Sequence, residues 1–130
     1  MQFTTKYINF DSIGSTNIWC KNNTSILNDN TLLAVQSDIQ TNGIGRMDRK
    51  WLSSKGGLYI SLAFRLPNKS INIPSINILV ALCIKDILKN DEITIQIKWP
   101  NDIILNNKKI GGILSELIKC QRNNILIIGV

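Results

Sequence analysis

The sequence predicts an α+β fold, in which a mixed and largely antiparallel sheet is flanked by helices. Three observations predict this class. Short strand-like segments with apolar residues at every second position recur along the chain, one long amphipathic helical pattern lies among them, and tight turns join the last strands. Of the 130 residues, 44% are hydrophobic and 18% are charged, which is typical of a folded domain and not of a disordered chain. The length suits one domain over residues 1–130.

Hydrophobic periodicity and turn residues place the individual elements. The longest apolar-periodic run predicts a helix that begins after the N-cap Ser75 and ends at Lys89, with Cys83 buried on its apolar face. The asparagines at 106–107 and residues 121–124 predict tight turns. The remaining predictions are a short helix at 16–22, a polar loop at 38–50, and strands at 7–11, 31–37, 57–66, 93–99, 102–105, 109–119 and 124–130.

Charge and missing residue types exclude several classes of function. Fifteen Lys and Arg against nine Asp and Glu give a net charge of +6, which suits acidic partners. The cations are dispersed and form no nucleic-acid motif, so DNA binding is not expected. With no histidine and three widely spaced cysteines, the sequence excludes an ordinary zinc site and a Cys-His or Ser-His nucleophile pair.

The sequence also predicts a cytoplasmic location without a membrane partner. No apolar run reaches the roughly 20 residues that a membrane-spanning helix needs. The first residues, Met1 to Lys6, lack the apolar segment of a signal peptide.

A lysine at the end of a strand is the first candidate site residue. In the strand at 94–98 the residues alternate, so Ile95 and Ile97 share one face and Lys98 lies on the other. Pro100 ends the strand because it restricts its own φ and the residue before it. Lys98 therefore lies at the rim of a sheet, where it either meets a phosphate or carboxylate or is simply solvated.

A glycine-containing loop follows the strand at 31–37. Its Gly-x-Gly segment at 43–45 permits unusual backbone dihedrals and close approach by a ligand, and consecutive loop amides can bind an anion. Three cations, Arg46, Arg49 and Lys50, stand beside it. The segment is not the dinucleotide fingerprint, because a third glycine and a following helix are missing.

Ser15, Thr16 and Asn17 form the third candidate segment, after a short strand and Gly14. These residue types are good helix N-caps, so the segment can simply begin a helix. It can also offer neutral hydrogen-bonding groups to an uncharged polar ligand.

Taken in order, these segments resemble the catalytic domain of biotin protein ligases, whose fold is related to that of class II aminoacyl-tRNA synthetases. That family carries Ser-Thr-Asn, then Gln-x-x-Gly-Arg-Gly-Arg-x-Gly-Arg-x-Trp, then Lys-Trp-Pro-Asn-Asp and Lys-x-x-Gly-Ile-Leu-x-Glu. The matching segments here are 15–17, 40–51, 98–102 and 109–116. The succession of the last two segments, 98–102 and 109–116, is highly specific for this family.

The resemblance implies ATP-dependent activation of biotin as biotinyl-adenylate and its transfer to a lysine of the biotin carboxyl-carrier domain of acetyl-CoA carboxylase. Mg²⁺ is implied together with ATP, with no protein ligands assigned. Lys98 and Arg46 match the catalytic positions. The implied biotin-binding residues are Ser15, Thr16, Asn17, Gln40, Ile44, Gly45, Arg46 and Lys98. The implied ATP-binding residues are Gly43, Gly45, Arg46, Arg49, Trp51, Lys98 and Asn101.

Two positions depart from the family pattern. Ile44 replaces its first loop arginine and Asp48 its third glycine, and both are expected to alter how the loop folds over the adenylate. Against that pattern, we also expect the chain to be incomplete at its C-terminus and to lack both a helix-turn-helix and a small C-terminal barrel. Because the last predicted strand stops at Val130, an unpaired edge there would favour a homodimer.

Two alternatives remain open from the sequence. One is a relative of lipoate or octanoate ligases, which would hold an apolar acyl chain. The other is a non-catalytic fragment that binds biotin or a carrier protein. The Lys-Trp-Pro-Asn-Asp motif together with Gln40 favours biotin.

Overall fold

The computed structural model describes residues 4–130, which form ten strands, two α-helices and two short 3-10 turns. The predicted α+β class is confirmed. The chain divides into two compact units, one made of residues up to 70 together with 116–130, and one made of residues 71–115.

The helices are α1 (Thr16–Asn22) and α2 (Ile73–Lys89). The strands are β1 (Thr4–Phe10), β2 (Thr31–Ser37), β3 (Gln40–Ile44), β4 (Lys50–Ser53), β5 (Tyr59–Pro67), β6 (Gln96–Lys98), β7 (Asp102–Leu105), β8 (Lys108–Gly112), β9 (Leu114–Ile118) and β10 (Asn123–Gly129). The predicted bounds of α1, β2 and β7 are confirmed, and those of β1, β5 and β10 shift by one to three residues.

The main sheet has the strand order β1-β2-β5-β10-β9. Strand β1 runs parallel to β2, whereas β2 and β5 and also β5 and β10 pair antiparallel, so the sheet is mixed, as predicted. Alternating apolar residues of β2 and β10, including Leu33, Val35 and Ile127, form a core with Cys20 of α1. Since β10 lies between β5 and β9, the unpaired edge expected at the last strand is wrong.

The predicted loop at 38–50 is wrong over most of its length. Strands β3 and β4 pair antiparallel and form a two-stranded ribbon, the β3–β4 ribbon, with a bulge between Gln40 and Gly43. Gln40 pairs with Ser53, Gly43 with Trp51 and Ile44 with Lys50. The segment is polar and rich in glycine, so it lacks the apolar alternation by which a strand is recognised.

Helix α2 begins earlier than predicted. Asn72, not Ser75, is the N-cap, and its Oδ1 accepts from the backbone N–H of Ser75 at 3.0 Å. Pro74 fits the first turn because an N–H there has no intrahelical acceptor.

The buried face of α2 differs from the predicted one. Asn77 and Ala81 are buried, whereas Leu79, Cys83 and Ile87 are exposed, so the prediction that Cys83 is buried was wrong. Apolar residues surround most of this helix, so their spacing fits several faces equally well. Packing against β6 selects the face that is buried.

Strands β6, β7 and β8 form a separate three-stranded antiparallel sheet. The predicted strand at 93–99 shortens to β6. The predicted strand at 109–119 divides into β8 and β9 at Ile113, whose N–H donates to the backbone oxygen of Asn101 at 2.9 Å. Asn106 and Asn107 both have positive φ, 49° and 62°, as in the tight hairpin turn that asparagines favour.

Candidate active site

The Ser15–Asn17 segment begins α1, as its N-cap residue types predicted. Ser15 is the N-cap, with extended backbone, and its Oγ accepts from the N–H of Ile18 at 3.4 Å. Ser15, Thr16 and Asn17 are only 4–6% exposed. Buried polar groups need partners, so the helix cap also forms one end of a polar cluster.

Gln40 is the centre of that cluster. Its Oε1 lies 2.9 Å from the backbone nitrogen of Thr16 and 3.1 Å from Thr16 Oγ1, and its Nε2 donates to Ser53 Oγ at 2.9 Å. The backbone brings these residues together, because the N–H of Thr41 donates to the oxygen of Ile13 at 2.8 Å. The structure therefore unites two predicted biotin-binding residues that are distant in sequence.

Gly43 is required for close packing rather than for its backbone freedom. A Cβ at Gly43 would lie 2.6 Å from the backbone oxygen of Trp51 and 2.8 Å from Ser53 Oγ, where no side chain fits. Gly43 and Gly45 do not have positive φ, so neither position uses the left-handed backbone conformation that glycine permits. Close approach by a ligand at this segment stays a prediction.

Positive φ appears instead in the turn that joins β3 to β4. Met47 and Asp48 have φ of 54° and 55°. The turn is closed by the N–H of Gly45, which donates to the oxygen of Arg49 at 2.7 Å. Arg46 and Arg49 are exposed at this turn, so it presents two cations to solvent. Asp48 thus adopts the left-handed conformation that glycine adopts most easily.

Ile44 and Lys50 are directly paired across the ribbon. Because side chains alternate along a strand, both lie on the face opposite to Gly43 and Trp51. Ile44 is half-buried and Lys50 is exposed.

Lys98 and Asn101 belong to the second compact unit. Lys98 is exposed at the end of β6, as predicted, and pairs with Asp102, whose carboxylate binds Lys109 Nζ at 2.8 Å. The carboxamide nitrogen of Asn101 donates to the backbone oxygen of Ile113 at 3.1 Å. Asn101 therefore fixes Ile113, the residue between β8 and β9, and both residues belong to the second unit.

Three polar residues of the cluster were not identified as site residues from the sequence. Ser53 and Ser61 are buried, and Ser61 is 0% exposed. Glu116 accepts from Asn17 Nδ2 at 3.0 Å and from Lys21 Nζ at 2.6 Å. Glu116 could have been identified from the sequence because it ends a recognised motif. Ser53 and Ser61 could not, because a serine within a strand has no sequence feature that marks it as a site residue.

The titratable groups add no nucleophile to the cluster. Burial raises the pKa of the Cys20 thiol from 9.0 to about 12, and Cys20 lies in the apolar core. Within residues 4–130, no three His, Cys, Asp or Glu side chains are grouped closely enough to bind a metal ion. Neither described helix is long and apolar enough to cross a membrane.

Comparison with known proteins places the chain in a family. A model described as the biotin/lipoate A/B protein ligase family matches residues 9–130. Bifunctional ligase/repressor BirA of Bacillus subtilis is 39% identical over 99 residues, which are 74% of this chain and 30% of that protein.

Two solved structures are similar over nearly the whole chain. The biotin protein ligase from Aquifex aeolicus in complex with biotin and ATP is 33% identical with a TM-score of 0.75, over 96% of this chain and 51% of that one. The biotin acetyl coenzyme A carboxylase synthetase from Helicobacter pylori with bound biotinylated ATP is 28% identical with a TM-score of 0.76, over 98% and 61%. The chain thus spans about a third of the curated relative and about half of the first structure. It belongs to the biotin/lipoate A/B protein ligase family.

Proposed function

We propose that this chain carries the biotin-binding and ATP-binding part of a biotin–protein ligase. The observation that carries the proposal is the arrangement of strand β3. Its first residue, Gln40, joins a cluster of neutral donors and acceptors with Thr16 and Ser53, and a turn with exposed Arg46 follows its last residue. One ribbon therefore offers polar groups suited to a ureido ring at one end and positive charge suited to phosphates at the other.

The proposed reaction has two steps. A carboxylate oxygen of biotin attacks the α-phosphorus of ATP, the bond to the β-phosphate oxygen breaks, and pyrophosphate leaves. The neutral ε-amine of a carrier lysine then attacks the acyl carbon of the adenylate, AMP leaves, and the amine loses a proton. Neither step needs an enzyme nucleophile, which is consistent with a chain that has no histidine and a buried Cys20. The protein has to position two anions that repel each other and to stabilise charge.

Residue roles in this proposal follow the motif matches. Lys98 neutralises the reacting carboxylate and α-phosphate, and Arg46 binds phosphate oxygens through its planar donor fork. Contacts with biotin are proposed for Ser15, Thr16, Asn17, Gln40, and the backbone of Ile44 and Gly45. Contacts with ATP are proposed for Gly43, Gly45, Arg49, Trp51 and Asn101.

The other partners remain predictions. Mg²⁺ would enter with ATP, held by phosphate oxygens and water, since this ion commonly keeps several waters and binds few carboxylates. The carrier domain of acetyl-CoA carboxylase, a cytoplasmic location, homodimerisation and the lack of DNA binding are also predictions.

A lipoate or octanoate ligase is the second candidate, because the family includes lipoate ligases by name. The cluster around Gln40 supports biotin, since buried amide and hydroxyl groups lose hydrogen bonds when an apolar chain covers them. A non-catalytic fragment that binds biotin or a carrier protein remains the third candidate.

Pyrophosphate release by the 130-residue chain with ATP and biotin, lipoate or octanoate tests the three candidates. We expect release that depends on biotin and is weakened in Thr16→Val but not in the control Thr94→Val, which replaces an exposed threonine. Preference for lipoate would favour the second candidate. Calorimetric binding of biotin or of a carrier domain, without pyrophosphate release, would favour the third candidate. A chain that shows no pyrophosphate release and binds neither biotin nor a carrier domain would contradict all three candidates.

A further inference from the structure

Strand β1 forms one edge of the main sheet. It is the first strand in the order β1-β2-β5-β10-β9, and it pairs with β2 without interruption from Thr4 to Phe10. Within residues 4–130, no strand pairs with the other side of β1. Four of the seven residues of β1 are exposed, whereas none of the five residues of β9, at the opposite edge, is exposed. Strand β1 is therefore the more open of the two edges.

The hydrogen bonds with β2 fix which backbone groups of β1 point outward. The N–H of Thr4 donates to the oxygen of Asn30 at 2.8 Å, and the N–H of Asp38 donates to the oxygen of Phe10 at 3.0 Å. In a strand, the N–H and C=O of one residue point to the same side, and that side alternates along the chain. The residues of β1 with even numbers therefore bond to β2. The residues whose N–H and C=O point away from β2 are Thr5, Tyr7 and Asn9.

These outward groups lack the features that usually protect a sheet edge. Natural edge strands carry prolines, bulges or charges that hinder pairing with another chain. Strand β1 contains no proline, its register with β2 has no bulge over these residues, and its single charged residue is Lys6. Tyr7, at the middle of the strand, is 75% exposed. The edge is therefore suited to pairing with a further strand.

We propose that β1 pairs antiparallel with β1 of a second copy of this chain, about a two-fold axis at Tyr7. Opposed residues whose backbone groups face each other across an antiparallel pair exchange two hydrogen bonds. An axis at Tyr7 gives three such pairs: Tyr7 lies opposite Tyr7 of the second copy, and Thr5 lies opposite Asn9 on both sides of the axis. The inference concerns assembly and does not depend on the proposed reaction.

Hydrogen bonding and charge both favour this register. Moving the axis by one residue, to Lys6 or to Ile8, leaves only two hydrogen-bonded pairs within β1. An axis at Lys6 would also place two lysines directly opposite each other, and opposed like charges destabilise a strand pair. With the axis at Tyr7, Lys6 lies opposite Ile8, where its aliphatic stem can pack.

The same symmetry favours a second copy as the occupant. A two-fold pair uses the same surface of both partners and is closed. Both open β1 edges are thereby covered at once, and no unpaired β1 edge remains to bind a further chain. The net charge of +6 on each copy opposes association, so the test is made at about 0.15 M salt, which screens exposed charges beyond about 8 Å.

Proline at position 7 tests the pairing while leaving the bonds to β2 in place. Proline has no N–H, and the N–H of Tyr7 points away from β2, so Tyr7→Pro removes two hydrogen bonds between the copies. Each carbonyl left unpaired costs roughly tenfold in affinity. We therefore expect the dimer Kd, measured by sedimentation equilibrium, to rise roughly hundredfold. The matched control Tyr7→Val keeps the N–H, and its Kd should stay within about fivefold of the wild-type value.

Amide hydrogen exchange tests the same geometry in the wild-type chain. The outward amides of Thr5, Tyr7 and Asn9 should exchange more slowly when the protein concentration is raised above the dimer Kd. The amides of Lys6 and Ile8 bond to β2, so their exchange should already be slow below that concentration. This measurement serves alone if Tyr7→Pro does not fold, as judged by circular dichroism.

Several results would overturn the inference. One is a wild-type chain that stays monomeric at the highest concentration at which it is soluble. Another is a dimer whose Kd is the same in Tyr7→Pro, because that dimer would use another surface, such as β9. Protection of the outward amides that is independent of concentration would show that the chain itself, and not a second copy, covers β1. These measurements contain neither biotin nor ATP, so their results are separate from those that test the proposed function.

Discussion

The α-carbon of Gly129 on β10 lies directly against the carboxamide of Asn17 on α1. A Cβ at Gly129 would come within 2.9 Å of Asn17 Cγ and 3.1 Å of Asn17 Nδ2. Asn17 is itself held by Ser61 and Glu116, so its side chain has little room to move. The last strand therefore sets the position of the first residues of the candidate site.

Gly129→Ala is expected to displace Asn17 and to weaken both stability and biotin binding. Overpacking of a close contact costs about 1–3 kcal/mol, which should appear in the free energy of unfolding measured with urea. Gly14→Ala is the control, since a Cβ at Gly14 meets nothing within 4 Å. Equal stability of the two variants would show that Asn17 can shift without cost.

Gly43→Ala is expected to distort the β3–β4 ribbon. The new methyl group would contact the backbone oxygen of Trp51 at 2.6 Å, and a paired backbone cannot move as easily as a flexible side chain. A loss of about 1–3 kcal/mol in unfolding free energy is expected, together with altered fluorescence of Trp51. Gly45→Ala, whose Cβ lies 3.5 Å from the nearest atom, should change both much less.

Asp48→Gly is expected to stabilise the turn between β3 and β4. Asp48 has φ of 55°, and the left-handed conformation costs an L-residue about 1–2 kcal/mol. Part of this gain is offset because glycine loses more entropy on folding. A thermal melt should show a higher Tm for Asp48→Gly and no increase for Asp38→Gly, because Asp38 does not have positive φ.

Lys98→Ala is expected to abolish most pyrophosphate release while leaving the fold intact. Lys98 is exposed at a strand end, so its removal leaves no cavity. A hydrogen bond to a charged group contributes about 1.5–3 kcal/mol, which corresponds to a loss of roughly tenfold or more in rate. Lys108→Ala, at an exposed lysine of the same sheet, should retain activity. Near-native release by Lys98→Ala would remove Lys98 from the mechanism.

The three cysteines are expected to react at different rates with iodoacetamide. Cys83 is exposed, Cys120 partly buried and Cys20 buried. Because the reactive species is the thiolate, a Cys20 pKa raised from 9.0 to about 12 keeps that thiol protonated in the folded chain. Mass spectrometry should find Cys83 labelled first and Cys20 labelled only after unfolding.

The raised pKa of Cys20 also predicts how the free energy of unfolding depends on pH. The pKa of Cys20 is higher in the folded chain than in the unfolded chain. Burial of the neutral thiol therefore contributes fully to the free energy of unfolding below pH 9, and this contribution falls as the pH rises toward 12. Cys20→Ala should weaken this decline, as measured by urea unfolding between pH 8 and about 10. If the unfolding free energy of Cys20→Ala declines with pH as steeply as that of the wild type, Cys20 is not the group responsible.

Local sequence was sufficient to predict the features that depend only on residues close together in the chain. Ser15 caps α1 because its side chain and the first helical amides are adjacent in the chain. The alternation around Lys98 was also sufficient, because a strand's two faces follow from neighbouring residues alone. For the same reason the α+β class and the bounds of β2 could be predicted, and the order of the motifs led to the family.

Tertiary structure decided what depends on distant partners. Strand β3 forms in a polar segment because Gln40 pairs with Ser53 of β4, which local sequence does not indicate. Packing against β6 selects the buried face of α2, and Cys83 does not lie on that face. The position of β10 inside the sheet likewise depends on β5 and β9. Ser61 was not identified because a buried hydroxyl in an apolar strand acquires a role only through its neighbours. Its contacts with Thr16 and Asn17 join residues more than 40 positions apart, and local periodicity carries no information over that separation.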